Sequence, residues 1–331
     1  GVKHVMGGVI GDASAFEART IPDGWLSRYA GSGYAAPFGA LSMNENIVVV
    51  AVSGDGSVTL EPATTGIRVE NAVRVTGGRG MTVHVYRAPD GHVVARGTVG
   101  RGAGVRKLQL TVADPTAFTA GAVQAALADE GVKVDGGLHI GPAPAGAEPV
   151  AQLESPQLRE LVAVMNRESI NHFAELIFRD ATRGPRRDSL GSAAAGNALL
   201  TRFLADSAGV RRDAVTVSDG SGLSVLDRVT ARAMVKLLSF AHHASFGPAF
   251  HASLPVAGES ELLRYRMLGT PAVGNLHAKT GTTNDVIALG GYVTAVDGEI
   301  LAFSFIFNGH DRWNARATID AMGATMAGFA R

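Results

Sequence analysis

Cysteine is absent from this chain of 331 residues, which excludes disulfides and thiolate metal sites. That absence is compatible with an oxidising compartment whose disulfide chemistry the chain does not use. Lysine is almost absent too, with five residues against 25 arginines. Acidic and basic side chains balance at 30 each, so no charge excess argues for nucleic acid or an anionic membrane surface as a partner. No apolar stretch approaches the roughly 20 residues that a membrane-spanning helix needs. The N-terminus, GVKHVMGGVIGD, lacks the charged and apolar regions of a signal peptide and reads like the middle of a domain. The expectation is therefore that a preceding segment was removed or omitted. What remains is a globular composition, 46% hydrophobic and 18% charged, with room for about two domains.

The first 150 residues carry short β-branched runs at 47–52, 66–75, 81–87, 92–99 and 105–112, which predict strands. SGDGS (53–57) and APDGH (88–92) predict hairpin turns. One helix is expected over 114–131, with Asp114 as N-cap, Pro115 in the first turn and Gly131 as the stop. GPAPAGAEP (141–149) marks a linker. Beyond it, helical spacing runs over 155–181, then 188–208 and 228–245. Two strands follow, 286–296 and 299–308, joined by Asp297-Gly298, and a closing helix covers 315–330. The second half thus predicts an antiparallel sheet flanked by helices, giving an α+β fold.

Three short stretches carry chemistry. Lys279-Thr280-Gly281-Thr282 groups one of the scarce lysines with two hydroxyls and a side-chain-free position beside a strand. Such a group suits a carboxylate or an oxyanion, although a surface lysine before a turn has the same spelling. Ser169-Ile170-Asn171 lies inside a helical stretch, yet residues two apart do not share a helix face. If both reach one cavity, they sit on a loop or at a helix start; the plainer reading makes Ser169 an N-cap. Asp219-Gly220-Ser221-Gly222 predicts a tight turn, after which Asp227 or Arg228 opens a helix.

In this order, Ser-x-Asn and Lys-Thr-Gly are two of the three signatures of penicillin-binding proteins and serine β-lactamases. With their surroundings, SPQLRELVAVMNRESINHFAELIFR, SDGSGLSVLDRVTA and HAKTGTTNDVIALGGYV, the chain resembles the D-alanyl-D-alanine carboxypeptidase/endopeptidases of the low-molecular-mass class C penicillin-binding proteins. GGVIGDASAF, PDGW and YAAPFGALSMNEN resemble that family's accessory region. The resemblance implies an accessory domain over 1–49 and 104–145, a small β-rich insert over 50–103, and the C-terminal part of a penicillin-binding transpeptidase domain over 146–331. It further implies an extracytoplasmic protein that needs no metal or cofactor, acts on peptidoglycan stem peptides and is inhibited by β-lactams. No cluster of His, Asp and Glu suggests a metal, and His242 and His243 read as structural residues of a helix.

The third signature, Ser-x-x-Lys, is missing. Lys3 has no residue three before it, and Gly104, Glu130, Ala233 and Leu276 stand three before Lys107, Lys133, Lys236 and Lys279. In the family that motif precedes the accessory region, so the nucleophile is expected outside these residues; a naturally inactive relative is the competing explanation. A takeover by Ser169 with His172 is disfavoured, since a histidine there reads as a helix-surface residue. The resemblance gives Lys279 the role of holding positive charge near the substrate carboxylate and Ser169. It gives Thr280 and Thr282 hydroxyl contacts to that carboxylate, the Thr282 N–H half an oxyanion hole, Ser169 proton transfer to the leaving amine, and Asn171 orientation of the substrate amide. Gly281 leaves room for the substrate backbone. Asp12 matches a position that holds the amino group of a diamino acid, and Phe16 is expected to pack its methylene stem; the alternative is a plain Asx turn at Asp12 and Ser14. Readings from other classes are a non-catalytic peptidoglycan binder and an esterase or β-lactamase of the same fold. A catalytic domain lacking part of its sheet predicts exposed apolar surface and low stability.

Overall fold

The computed structural model describes residues 1–331, which divide into two compact units, 1–150 with 175–192 and 151–174 with 193–331. The 141–149 linker ends at the first boundary.

In the first unit, β1 (His4–Val5) and β2 (Val9–Gly11) form short parallel ladders with two later strands, β9 (Lys133–Val134) and β10 (Leu138–Ile140). Between these come β3 (Ile47–Val52), β4 (Val58–Glu61), β5 (Val69–Thr76), β6 (His84–Arg87), β7 (Val93–Gly100), β8 (Arg106–Thr111) and α1 (Pro115–Asp129). They make two three-stranded sheets, β4-β3-β8 and β5-β7-β6. Both expected hairpins form: Ser53 N–H bonds to Ser57 O, Ala88 N–H bonds to His92 O, and Gly56 and Gly91 take the positive φ that each turn requires. Helix α1 starts as its sequence dictates. Asp114 accepts the Ala117 N–H at 2.9 Å, and Gly131 turns the chain away with φ of 74°. The expected division at 49/50 falls inside β3, and β3 pairs with β8, so 50–103 and its flanks share one compact unit.

A buried guanidinium sits at the centre of this unit. Arg179 donates to Glu175 at 2.7 Å and Glu17 at 3.1 Å, and its Cζ lies 4.2 Å above the Phe38 ring. Phe16 forms a bridge with Gly191 and is 8% exposed. It is a packing residue of this unit, not an open platform for a ligand. A Cβ on Gly191 would stand 2.6 Å from the Phe16 ring.

The second unit contains α2 (Leu158–Glu168), the start of α3 (Asn171–Asp180), α4 (Ala193–Asp206), β11 (Val215–Thr216), β12 (Arg228–Val229), α5 (Ala231–His243) and α6 (Gly247–Ala252). It ends with β13 (His277–Thr282), β14 (Val286–Thr294), β15 (Ile300–Asn308) and α7 (Arg312–Ala327). The sheet order is β13-β14-β15, entirely antiparallel. Its core gathers Leu263, Leu276, Ala278, Ile287, Leu289, Val293 and Phe303 against Ile319 of α7.

Four expectations are corrected here. The helical pattern over 155–181 splits into α2 and α3. The sheet has three strands rather than two, because 277–282 forms one of its own. Helix α5 opens at Ala231, capped by Thr230, which accepts the Ala233 N–H; Asp227 instead accepts the Ser218 N–H, and Arg228 lies in β12. The closing helix starts earlier, at Arg312, where Asp311 caps Asn314.

The outer edge of β15 is unpaired over nine residues, ILAFSFIFN, and carries no Lys, Pro or acidic residue to discourage pairing with another chain. A cavity of about 520 Å³ lies beside it, lined by Phe305, Phe307, Ile319 and Met322 among others. Concentration-dependent self-association of the 331-residue chain is therefore expected in sedimentation velocity. Ser304→Lys, placing a charge in this strand, is expected to reduce it; equal association of the two proteins would show that another surface is responsible.

Candidate active site

Strand β13 brings Lys279 to its position. Alternation along a strand puts His277, Lys279 and Gly281 on one face, and Ala278, Thr280 and Thr282 on the other. Ala278, fully buried, anchors the second face in the core.

On the outer edge of β13, residues 255–257 run alongside as an irregular partner. Ala257 N–H bonds to Leu276 O and Ala278 N–H to Pro255 O, both at 2.9 Å. This cover stops at Ala278. Because the N–H and C=O of Ala278 point outward, the antiparallel ladder turns those of Thr280 and Thr282 outward too. Edge positions therefore become open to an extended ligand from Thr280, two residues beyond the cover. Thr282 is exposed and Thr280 half-buried, and both flank this edge from the face opposite Lys279. A Cβ on Gly281 would meet only Ala288 Cβ, at 3.4 Å, so packing alone does not demand glycine there.

Ser169 reaches the same place from the break between α2 and α3. It is the C-cap of α2, not the N-cap of α3, with φ 57° and ψ 49°. Ile170 N–H closes back on Met165 O at 3.1 Å, a Schellman-type ending that normally uses glycine. For serine this backbone costs on the order of 1–2 kcal/mol. The turn projects Ser169 Oγ to 2.7 Å from Lys279 Nζ, while Nζ also donates to Thr280 O at 2.9 Å. Asn171 opens α3 two residues on. Helix α2 is pinned behind this turn by Asn166 Nδ2 donating to Ser253 Oγ and Arg167 Nη2 to Ala252 O, both at 2.8 Å.

Lys279 has no carboxylate within ion-pair distance, and burial lowers its pKa to about 8. It is still mainly protonated at neutral pH, and an anion that fits beside it gains a desolvated cation. His172 is half-buried rather than on the helix surface as expected, with its Nδ1 enclosed. Its Nδ1 has no partner, and burial lowers its pKa to about 4, which keeps the ring neutral.

The turn at 219–222 is built around Asp219, buried, which accepts the N–H groups of Gly222 at 2.7 Å and Ser224 at 2.8 Å. Beside it, burial and then the Asp219 charge raise the Asp227 pKa to about 7. In the first unit, Asp12 accepts the Ser14 N–H and the Ala143 N–H, each at 2.8 Å. The Ser14 hydroxyl, then these backbone donors, lower its pKa and keep it ionised. Of the residues the sequence reading placed in one neighbourhood, the fold brings Ser169 against Lys279, with Asn171 two residues on at the start of α3; Asp12 and Phe16 belong to the other unit. The sequence reading missed residues 255–257, whose role as an edge cover leaves no sequence motif.

Residues 1–328 match the D-Ala-D-Ala carboxypeptidase 3 (S13) peptidase family. The chain belongs to this family. It is 32% identical to a D-alanyl-D-alanine carboxypeptidase of Actinomadura sp. (strain R39), over 100% of this chain and 64% of that protein. Identity to the DacB carboxypeptidase of Haemophilus influenzae is 24%, over 94% and 66% of the two chains. The crystal structure of penicillin-binding protein 4 (DacB) from H. influenzae superposes with a TM-score of 0.79 at 22% identity, covering 98% of this chain and 75% of that one. The chain therefore spans less than two thirds of the length of the Actinomadura relative, and shares the α+β fold of the H. influenzae protein.

Two outcomes follow for this S13 chain. Because Lys279 is desolvated without a counter-ion, Lys279→Met is expected to stabilise the fold, on the order of 1 kcal/mol in urea titrations at pH 7; a clear loss of stability would contradict an uncompensated ammonium. Asp227 binds protons more tightly folded than unfolded, so its stabilising contribution is complete below pH 4 and lost as pH rises through about 7. Asp227→Asn is expected to raise the melting temperature at pH 8 relative to the parent, and by much less at pH 5.

Proposed function

We propose that these residues carry the carboxylate-binding and proton-transfer side of the active site of a serine-type D-Ala-D-Ala carboxypeptidase/endopeptidase. Its substrates are peptidoglycan stem peptides, it reacts with β-lactams, and it works outside the cytoplasm. The nucleophilic serine of Ser-x-x-Lys lies outside the 331 residues. The observation that carries this reading is the Lys279 ammonium, desolvated, without an acidic partner, 2.7 Å from Ser169 and beside an open strand edge. S13 membership and relatives named D-alanyl-D-alanine carboxypeptidases support it, as does an H. influenzae penicillin-binding protein 4 structure, similar in fold, that holds a β-lactam.

In this mechanism the substrate lies along the Thr280–Thr282 edge, its terminal carboxylate near Lys279 and the Thr280 and Thr282 hydroxyls. The serine attacks the penultimate D-Ala carbonyl to form an ester, D-Ala leaves as the amine, and water then hydrolyses the acyl-enzyme. The Thr282 N–H faces outward and donates to the tetrahedral oxyanion, a contact worth about 10²–10³ in rate. Ser169 passes a proton to the leaving amine with Lys279 as its electrostatic partner, worth roughly 10²–10⁴. Asn171 orients the substrate amide. Asp12 of the first unit, held ionised, offers its remaining lone pairs to the ammonium of a diamino acid.

The absence of Ser-x-x-Lys from this chain favours one second reading, a homologue that binds peptidoglycan peptides without turning them over. Fluorescent penicillin separates the two. The 331-residue chain is expected to stay unlabelled, while the protein translated from the whole reading frame is labelled covalently and releases D-Ala from a D-Ala-D-Ala peptide. Labelling of the short chain would overturn the assignment of the nucleophile to outside residues, and an inert whole protein would leave the binding reading.

A further inference from the structure

Helix α6 touches both halves of the candidate site. Toward α2 it offers Ser253 and Ala252 O, which hold Asn166 and Arg167 just ahead of Ser169. Toward β13 it offers His251, whose ring lies 4.4 Å from the His277 ring at an interplanar angle of 34°. His277 stands two residues before Lys279 on the same strand face, and opposite it on β14 is Tyr292, whose ring is 5.1 Å from His251. Tyr292 is fixed in turn by its hydroxyl donating to Leu238 O at 2.7 Å. Three stacked rings thus join the helix behind Ser169 to the strand that carries Lys279.

The stack suits neutral imidazoles. His277 Nδ1 is buried with no hydrogen-bond partner. A proton there would be an unsatisfied, charged donor, whereas a bare ring nitrogen is the less costly state. The charges around the pair are mixed. Glu259 of the loop after α6 favours a charge on His277 and outweighs Arg167 of α2, which opposes it, while Lys279 shares its strand face. On the other side His242 of α5 opposes a charge on His251, as does His277 itself. Burial, ahead of these charges, lowers the pKa of both rings.

We propose that the His251–His277 stack is the positioning contact that holds Ser169 at hydrogen-bond distance from Lys279, and that it holds only while both rings are uncharged, so that acid opens the site. Like charges 4.4 Å apart push α6 from β13, and α2 moves with α6. The proposal rests on the function proposed above only for its meaning in catalysis; the mechanical coupling stands without it.

The test is an NMR pH titration of the 331-residue chain between pH 7.5 and 5, following the imidazoles of His251 and His277 and the backbone amide of Ser169. The expected result is that both imidazoles titrate below free histidine, and that the Ser169 amide shifts with their midpoint. In the His251→Phe/His277→Phe double variant, which keeps two flat rings, the Ser169 amide should stay flat across that range. His251→Gln alone should move the His277 midpoint upward, because one opposing ring is gone. In parallel, the affinity for an N-acylated D-Ala-D-Ala peptide should fall at least tenfold from pH 7.5 to 5.5 in the parent and less than threefold in the double variant. A Ser169 amide that titrates identically with and without the two histidines overturns the proposal. If the peptide binds at no pH, the proposed function fails while the amide titration still decides the coupling. Equal loss of affinity at every pH in the double variant would indicate packing alone, and would overturn the acid-opening part.

Discussion

One contact depends on everything around it in the second unit: the Lys279 ammonium against the Ser169 hydroxyl. Each side of it is locally unfavourable. The lysine is desolvated without a carboxylate, and the serine occupies a left-handed conformation that glycine would adopt more cheaply. Neither arrangement persists unless the surroundings over-determine it. The surroundings do so by different means. Lys279 is carried by a strand whose next residue inward, Ala278, is fully buried in the core shared with α7, while Ser169 is carried by the end of a helix tied through Asn166 and Arg167 to α6. Unfavourable local states held by a rigid frame are the usual mark of a site built for a ligand, and here they fall on the Ser-x-Asn and Lys-Thr-Gly motifs read in the sequence.

Legibility in the sequence follows how local the governing interaction is. Helix α1 was readable to its ends because Asp114, Pro115 and Gly131 act within four residues of the boundaries they set. The hairpins at 53–57, 88–92 and 297–298 were readable because glycine in the turn is a local backbone requirement. Strand β13 was not, since HAKTGT puts a single side chain, Ala278, fully into the core and otherwise depends on backbone pairing with β14 and with residues 255–257. The start of α5 was misplaced for a similar reason. Asp227 looks like an N-cap in one dimension, but Ser218, nine residues earlier, claims its carboxylate. The motifs named candidate residues; the fold supplied the helix break that turns Ser169 toward Lys279.

Two glycines of this sheet show how packing and binding separate. Gly291, opposite Ala278, is required by the fold, since a Cβ there would stand 2.0 Å from His277 O. Gly281, three pairs along the same ladder, faces no such conflict: its nearest neighbour would be a methyl group at 3.4 Å. The glycine at 281 is thus one that the protein interior does not need, next to an edge whose hydrogen-bonding groups point outward.

The edge itself carries the last step. A strand at the border of a sheet exposes backbone groups along its full length, and proteins usually cover, charge or bend such borders. Here the two borders of one sheet are treated differently. On β13 the cover from 255–257 ends at Ala278, leaving a short open stretch that begins at Thr280, next to the residue that carries the positive charge. A partial cover of this kind sets a register: an extended strand can pair only from Thr280 onward. On β15 nothing sets a register, and all nine residues stay open. The first border therefore offers a short stretch of fixed register, and the second an unregistered pairing surface along its full length.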